Sequence, residues 1–151
     1  MRAPPRDCPC TSGLRYGACC APFHKGTAEA ETPVALMRSR YAAFALGLGE
    51  YLVKTLVADH DDRRAPPHEL ARALSSARHT QRFMGLRIVH APAPPDPAAV
   101  GARAEVVFVA TIFERGVDRS FAERSLFVRE RSGWRYASGD ILTEAELASL
   151  E

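Results

Sequence analysis

The spacing of hydrophobic positions changes near the middle of the chain, from three or four residues in the first half to two in the second. Thr32 and Pro33 have the residue types of a helix N-cap and a first helical position. Apolar side chains follow at helical spacing, namely Met37, Tyr41, Phe44 and Leu48. Gly47 and Gly49 end this predicted amphipathic helix.

Shorter helices are predicted over 50–57 and 67–77, where leucines recur at four-residue spacing. Strands are predicted over 83–90, 104–113, 121–129 and 134–138, because β-branched and aromatic residues cluster or alternate there. A proline-rich loop follows the first strand, and short turns join the last three. Thr143 and Glu146 form a capping box at the start of a final helix.

Helices followed by hairpin-linked strands predict an α+β domain with helices packed on one face of an antiparallel sheet. The 151 residues suffice for one domain of ordinary size and a small additional segment. No apolar run reaches transmembrane length, so no membrane association is expected. The net charge of +2 is too small to indicate nucleic-acid binding.

All four cysteines lie within the first twenty residues, at Cys8, Cys10, Cys19 and Cys20, and His24 follows them. Four thiolates in one short segment can surround a soft divalent cation, and zinc is the usual occupant of an all-sulfur site. Such a segment cannot bury enough apolar surface to fold alone, so one structural zinc ion would supply its folding free energy. Either Cys20 or His24 is the fourth ligand in this interpretation.

Disulfides are the first alternative, but residues 1–7 contain no apolar stretch typical of a signal peptide. Pairing of the adjacent Cys19 and Cys20, or of Cys8 with Cys10, would also be strained. An iron–sulfur, redox-active or inert set of thiols is the other alternative. Reduced cysteines and the lack of an export signal favour a cytoplasmic location.

The segment from Cys8 to Cys20 resembles the SEC-C motif, a zinc-binding module named for the C-terminal tail of the SecA translocation ATPase. Later stretches are similar, in the same order, to the bacterial YchJ family, which carries such a motif at its N-terminus. These stretches are Leu36 to Tyr41, Tyr51-Leu52 with Thr55, His79-Thr80, Gly85-Leu86, Glu123-Arg124-Ser125 with Phe127, and Gly133-Trp134 with Tyr136 and Gly139.

The resemblance implies a SEC-C-type zinc motif over 1–27 and a cystatin-like cone fold over 28–151, similar to nuclear transport factor 2. In that fold, helices pack on a curved antiparallel sheet around a pocket. Members of the family are described as proteins of unknown function. The chain departs from the family at Thr11, where glycine is usual, and at residues 55–58, where a Thr-Trp-His-Pro run is typical and where His60 is displaced.

The candidate pocket residues are polar or aromatic side chains placed on predicted helix or strand faces. Arg38, Arg40 and Tyr41 lie together on the first helix. The arginines would suit an anionic ligand at a pocket rim, but the favoured interpretation is that Tyr41 is a core residue and that the arginines pair with nearby acids. Glu123 lies on an otherwise apolar strand face and is either a general base or the buried partner of Arg38 or Arg40, the latter being favoured. The remaining candidates are His79, Ser125 and Trp134.

Two functions follow from these residues. The favoured one is a protein-binding or adapter module, since a metal site closed by four ligands presents surface and no open coordination position. Its partner would be a protein, and resemblance to the SecA tail suggests a chaperone or a ribosome-associated factor. The alternative is an enzyme or small-molecule binder that uses the cone pocket, and a deep pocket with Glu123 facing a polar cavity would favour it.

Overall fold

An antiparallel sheet forms the centre of the molecule in a computed structural model that describes residues 7–151. The strand order is β1-β2-β4-β5, and the short β3 pairs with β2. The strands are β1 (Gln81–His90), β2 (Arg103–Glu114), β3 (Val117–Asp118), β4 (Phe121–Glu130) and β5 (Gly133–Ile141).

Register shifts interrupt the ladders of β1 and β4, between Phe83 and Gly85, between Ile88 and His90, and between Leu126 and Phe127. Such irregularities bend a strand and increase its twist. The sheet is therefore curved and open on one side, as the cone fold requires.

The helices are α1 (Ala21–Lys25), α2 (Pro33–Leu46), α3 (Gly49–Lys54), α4 (Pro67–Ser75), α5 (Ala77–Thr80) and α6 (Glu144–Ala148). Short 3₁₀ turns cover Tyr16–Ala18 and Asp61–Arg64. No helix within residues 7–151 has the length and apolar character needed to cross a membrane.

Helix α2 packs against the concave face of the sheet. The Thr32 hydroxyl accepts a hydrogen bond from the Ala35 amide (3.1 Å), and the helix ends at Gly47, as predicted. Its buried side chains join the main core with residues from the strands: Leu36, Met37, Tyr41, Val106, Phe108, Phe127 and Trp134. This packing confirms the predicted α+β class.

Helix α6 covers the opposite face of the sheet, so the expectation of helices on one face alone is incomplete. The predicted capping box is present, with Thr143 and Glu146 exchanging side-chain-to-backbone hydrogen bonds. Beyond it, Leu147 and Leu150 pack against Val107, Ala122 and Leu142. The apolar residues that alternate outward on β2 and β4 are thereby shielded from water.

The second predicted helix ends earlier than expected, at Lys54. Leu56 instead forms a parallel bridge to Tyr136, and the Val57 amide donates to the Tyr136 carbonyl (2.9 Å). Gly49 was expected to stop a helix but is the first residue of α3. A Cβ there would overlap the Ala71 carbonyl of α4, so glycine permits the two helices to approach closely.

Candidate functional site

The four cysteines converge at the start of the described chain, in a segment called here the arm (residues 7–25). A backbone hydrogen bond from the Cys8 amide to the Leu14 carbonyl (2.9 Å) folds the first part back on itself. The 3₁₀ turn then brings Cys19 and Cys20 beside Cys8 and Cys10. All four sulfur atoms lie within 4.8 Å of one another, and all four thiols are free.

The sulfur separations fit a tetrahedral metal ion. Sulfur atoms at about 2.3 Å from a central metal are about 3.8 Å apart in a tetrahedron. The Cys10 and Cys19 sulfurs are 3.6 Å apart, and those of Cys19 and Cys20 are 3.8 Å apart. The four cysteines of the arm therefore fit a metal site that they would close completely. Residues 1–6 of the predicted 1–27 segment lie outside the described residues.

The thiol protons are distributed unevenly within this cluster. A hydrogen bond with Cys10 raises the pKa of Cys8 to about 11, whereas hydrogen bonds from Cys20 and Cys8 lower the pKa of Cys10 below its ordinary value. One thiolate is therefore favoured by the thiols around it. A divalent cation would replace the remaining protons, because thiolates are the metal-binding form.

His24, the alternative fourth ligand, lies outside the sulfur cluster. Its Nδ1 accepts a hydrogen bond from the Tyr16 hydroxyl (2.6 Å), and its Nε2 donates to the Ser39 carbonyl (2.8 Å). Both ring nitrogens are thus occupied, and burial lowers the pKa of His24, so the imidazole is neutral. His24 therefore connects the arm to α2 through its hydrogen bond with the Ser39 carbonyl.

Three further contacts hold the arm against the rest of the domain. Arg38 donates from Nη1 to the Cys10 carbonyl (3.1 Å), and Ala42 packs against the cysteines. Thr11 Oγ1 donates to the Leu86 carbonyl (3.3 Å) and accepts from the Leu86 amide (3.0 Å). Since β1 is an edge strand, Thr11 occupies hydrogen-bonding groups that no neighbouring strand uses.

A pocket of about 300 Å³ lies between α2, α4 and the concave face of the sheet. Its walls are predominantly apolar and include Phe44, Leu74, Phe83, Phe108, Ile112 and Phe121. Its polar lining residues include Arg40, Tyr41, His60, Glu123 and Tyr136. An apolar cavity with a few converging polar groups is the usual form of a small-molecule site.

Glu123 sits at the β4–β5 side of this pocket and is held by hydroxyl groups. Its Oε2 accepts hydrogen bonds from Ser125 and from the Tyr136 hydroxyl (3.1 Å for Tyr136). Within residues 7–151 it forms no ion pair, so the expected pairing with Arg38 or Arg40 is wrong. Tyr136 intervenes, because its ring packs against Arg40 while its hydroxyl reaches Glu123.

Arg40 is buried, with 5% of its surface exposed. Its Nη1 donates to the Leu52 carbonyl (2.9 Å) and to Thr55 Oγ1 (2.5 Å). Its guanidinium carbon lies 4.7 Å from the centroid of the Tyr136 ring. Burial lowers the pKa of Arg40 to about 10, which leaves the side chain charged at neutral pH.

The other predicted pocket residues are distributed differently. Arg38 faces the arm, His79 is exposed on α5, and Trp134 is fully buried in the core. Sequence reasoning missed His60 and Tyr136 as lining residues, although Tyr136 belongs to the quoted family stretch and His60 is the displaced histidine. Neither has a periodicity that distinguishes a lining residue from a core or loop residue.

Comparison with known proteins identifies a family and several relatives that the chain is similar to. Residues 32–139 match the family described as "YchJ, middle NTF2-like domain". A UPF0225 protein from Deinococcus radiodurans is 39% identical over 136 residues, which is 88% of each chain.

Two solved structures have a similar fold. A SEC-C motif containing protein from Rhodopseudomonas palustris matches with a TM-score of 0.72 and 34% identity, over 90% of this chain and 98% of that one. A sec-c motif containing protein from Psychrobacter arcticus matches with a TM-score of 0.67 and 25% identity, over 91% of this chain and 83% of that one. With its four-cysteine arm and its NTF2-like domain, the chain belongs to the YchJ family.

Proposed function

We propose that this protein binds a small, largely apolar molecule in the pocket between α2 and the sheet, and that a zinc ion in the arm stabilises the wall formed by α2. The observation that carries the proposal is the pocket itself. A cavity of about 300 Å³ remains where side chains could have filled the cone, and the buried side chains of Arg40 and Tyr41 are among its lining residues. Its volume lies at the lower end of the range for ligand sites, which is roughly 300–1,000 Å³.

The polar groups support binding better than catalysis. Glu123 already accepts hydrogen bonds from two hydroxyl groups, and Arg40 is fixed by backbone and side-chain acceptors. Groups held in this way orient a ligand without needing to move. This arrangement favours the small-molecule alternative over the adapter role, which stays a prediction without a structural observation behind it.

Blocking the pocket tests the proposal. Ala77 lines the cavity on α5 and is half-buried, so Ala77→Trp would place an indole at the opening. Ala73→Trp on the exposed face of α4 is the matched control, because Ala73 does not line the cavity. Titrating naphthamide by calorimetry should give binding to the wild-type chain and to the control, and little to Ala77→Trp. Equal binding by both variants would contradict the proposed pocket.

Zinc is the proposed ion because its site is closed and made of sulfur alone. Native mass spectrometry of protein purified under reducing conditions should find one zinc per chain. Cys10→Ser should lose the ion. Ser12→Ala should keep the stoichiometry but weaken binding, since the Ser12 hydroxyl lies 3.2 Å from the Cys19 sulfur and groups that hydrogen-bond to metal ligands change metal affinity about 10–100-fold. Another metal at full occupancy would overturn this assignment.

A further inference from the structure

We infer that the pocket selects molecules carrying a carboxylate, and that the guanidinium of Arg40 binds this group while the aromatic walls contact an apolar body. The inference rests on the proposed small-molecule function and specifies the chemical class of its ligand. It is carried by the hydrogen-bonding and charge state of Arg40.

Arg40 presents an unused pair of donors to the cavity. Both of its hydrogen bonds come from Nη1, and no acceptor among residues 7–151 contacts Nε or Nη2. Within the same residues, Trp134 Nε1 is the one side-chain nitrogen or oxygen that is both fully enclosed and without a partner. The free donors of Arg40 must therefore reach accessible space, and for a side chain that is 5% exposed this is the pocket that it lines.

The free donors have the geometry of a carboxylate receptor. The Nε and Nη2 hydrogens of a guanidinium point in parallel, so together they match the two oxygens of a carboxylate. The bonds from Nη1 to Leu52 and Thr55 fix the plane of the group before a ligand arrives. Little side-chain freedom is then lost on binding, which favours affinity.

Arg40 forms no salt bridge within residues 7–151, and Glu123 acts on it only as a charge beyond contact distance. The neighbours of Arg40 are a carbonyl, a hydroxyl and the Tyr136 ring, all of which are neutral. A buried charge without a contacting counter-ion is costly, so an anion that enters the site would lower the free energy of the buried Arg40 guanidinium.

The other charged groups lining the pocket leave the Arg40 end available. Glu123 accepts hydrogen bonds from the hydroxyl groups of Ser125 and Tyr136. Asp62 is 55% exposed and lies 3.9 Å from His60 Nδ1, at the rim. Glu123 therefore has its own hydrogen-bond donors and Asp62 is exposed, whereas Nε and Nη2 of Arg40 have no acceptor among residues 7–151.

The experiment compares three probes that share one ring system and differ in charge: naphthoate, naphthamide and naphthylmethylammonium. Each is titrated by calorimetry into the full chain with its metal bound. We expect naphthoate to bind about tenfold or more tightly than naphthamide, as a buried charge-assisted pair requires. Octanoate and octanamide repeat the comparison with an aliphatic body.

Variants assign the preference to Arg40. Arg40→Met should remove the advantage of naphthoate over naphthamide, and Arg40→Lys should retain part of it. Glu123→Gln should strengthen naphthoate binding, because it removes a half-buried negative charge from the pocket lining. If Arg40→Met does not fold, the comparison of carboxylate with amide on the wild-type chain still decides the inference.

The outcomes separate this inference from the function on which it rests. Equal affinity for naphthoate and naphthamide, or tightest binding of the ammonium probe, would overturn the carboxylate assignment and leave a small-molecule pocket. Failure of every probe to bind, in both the aromatic and the aliphatic series, would overturn the proposed function together with the inference.

Discussion

A Cβ at Gly139 would overlap the Glu123 carboxylate and the Tyr136 hydroxyl. The residue lies on β5 opposite Ser125, so three partners of one hydrogen-bonded group meet at this position. A side chain at this position would therefore have to displace the Glu123 carboxylate.

Gly139→Ala should displace the Glu123 carboxylate from Ser125 and Tyr136 and lower the free energy of unfolding by about 1–3 kcal/mol. Gly85→Ala is the matched control, because it is also in a strand and nothing lies near its Cβ position. Thermal and denaturant unfolding of both variants measure the difference. Indistinguishable stabilities would show that Glu123 relaxes without cost.

Thr11 adopts a left-handed backbone conformation, with φ of 62°, which is uncommon for a β-branched residue. The two hydrogen bonds to Leu86 offset that conformation and explain how threonine replaces the family's usual glycine. Thr11→Ala should cost about 1 kcal/mol and should speed hydrogen exchange of the Leu86 amide, which loses its acceptor.

Thr11→Ser is the control for this prediction, since it keeps the hydroxyl and should keep the Leu86 amide protected. Amide exchange followed by NMR reports on the residue directly. Unchanged protection in Thr11→Ala would mean that the arm does not dock through this contact in solution.

Helix α2 serves two sites from two faces. Arg38, Ser39 and Ala42 contact the arm, whereas Arg40 and Tyr41 line the pocket. The helix also packs on the sheet through Leu36 and Met37, so it has a core that does not depend on the metal.

Removing the metal should therefore unfold the arm and leave the domain from Pro33 onward folded. Amide signals recorded with and without a chelator should disappear or shift over the described arm residues 7–25. Beyond them, changes should concentrate at Arg38, Ser39, Ala42 and Leu86, where the arm docks. A cooperative loss of all amide signals on chelation would contradict this prediction, because it would show that the domain does not stay folded without the arm.

The elements that local patterns define were predictable from sequence, and those that depend on distant contacts were not. The capped start of α2 and the capping box of α6 follow from their own residues. The end of α3 does not, because Leu56 leaves the helical pattern to pair with Tyr136, eighty positions along the chain. The placement of α6 on the far face depends equally on which side of β2 and β4 remained uncovered.

At the scale of the whole molecule, the cysteine site was predictable from a local pattern, whereas the pocket depends on distant contacts. The spacing of the cysteines was enough to predict that they cluster. The role of His24 was not predictable in this way, because it depends on a hydrogen bond to Ser39 of α2. The partner of Glu123 depended on the β4–β5 register, which places Tyr136 between it and Arg40. Charge complementarity predicted an arginine partner, and the geometry of the folded sheet supplied two hydroxyl groups.

The two sites should be energetically coupled, because α2 forms a wall of both. Chelating the metal should weaken naphthoate binding by about fivefold or more, and naphthoate should strengthen metal binding by the same factor. Calorimetric titrations of the metal-loaded and metal-free chain, with each ligand in turn, measure both directions. Equal naphthoate affinity in the two forms would show that the pocket does not sense the arm.

Docking of the arm also implies an order of events during synthesis. Its four sulfur ligands are complete once residue 20 has been made, so metal capture needs no distant part of the chain. The Thr11–Leu86 contact spans 75 residues and must wait for β1. The pocket waits longest, since Tyr136 comes from the last strand. Because distant contacts form slowly, a nascent chain would hold its metal before it could hold a ligand.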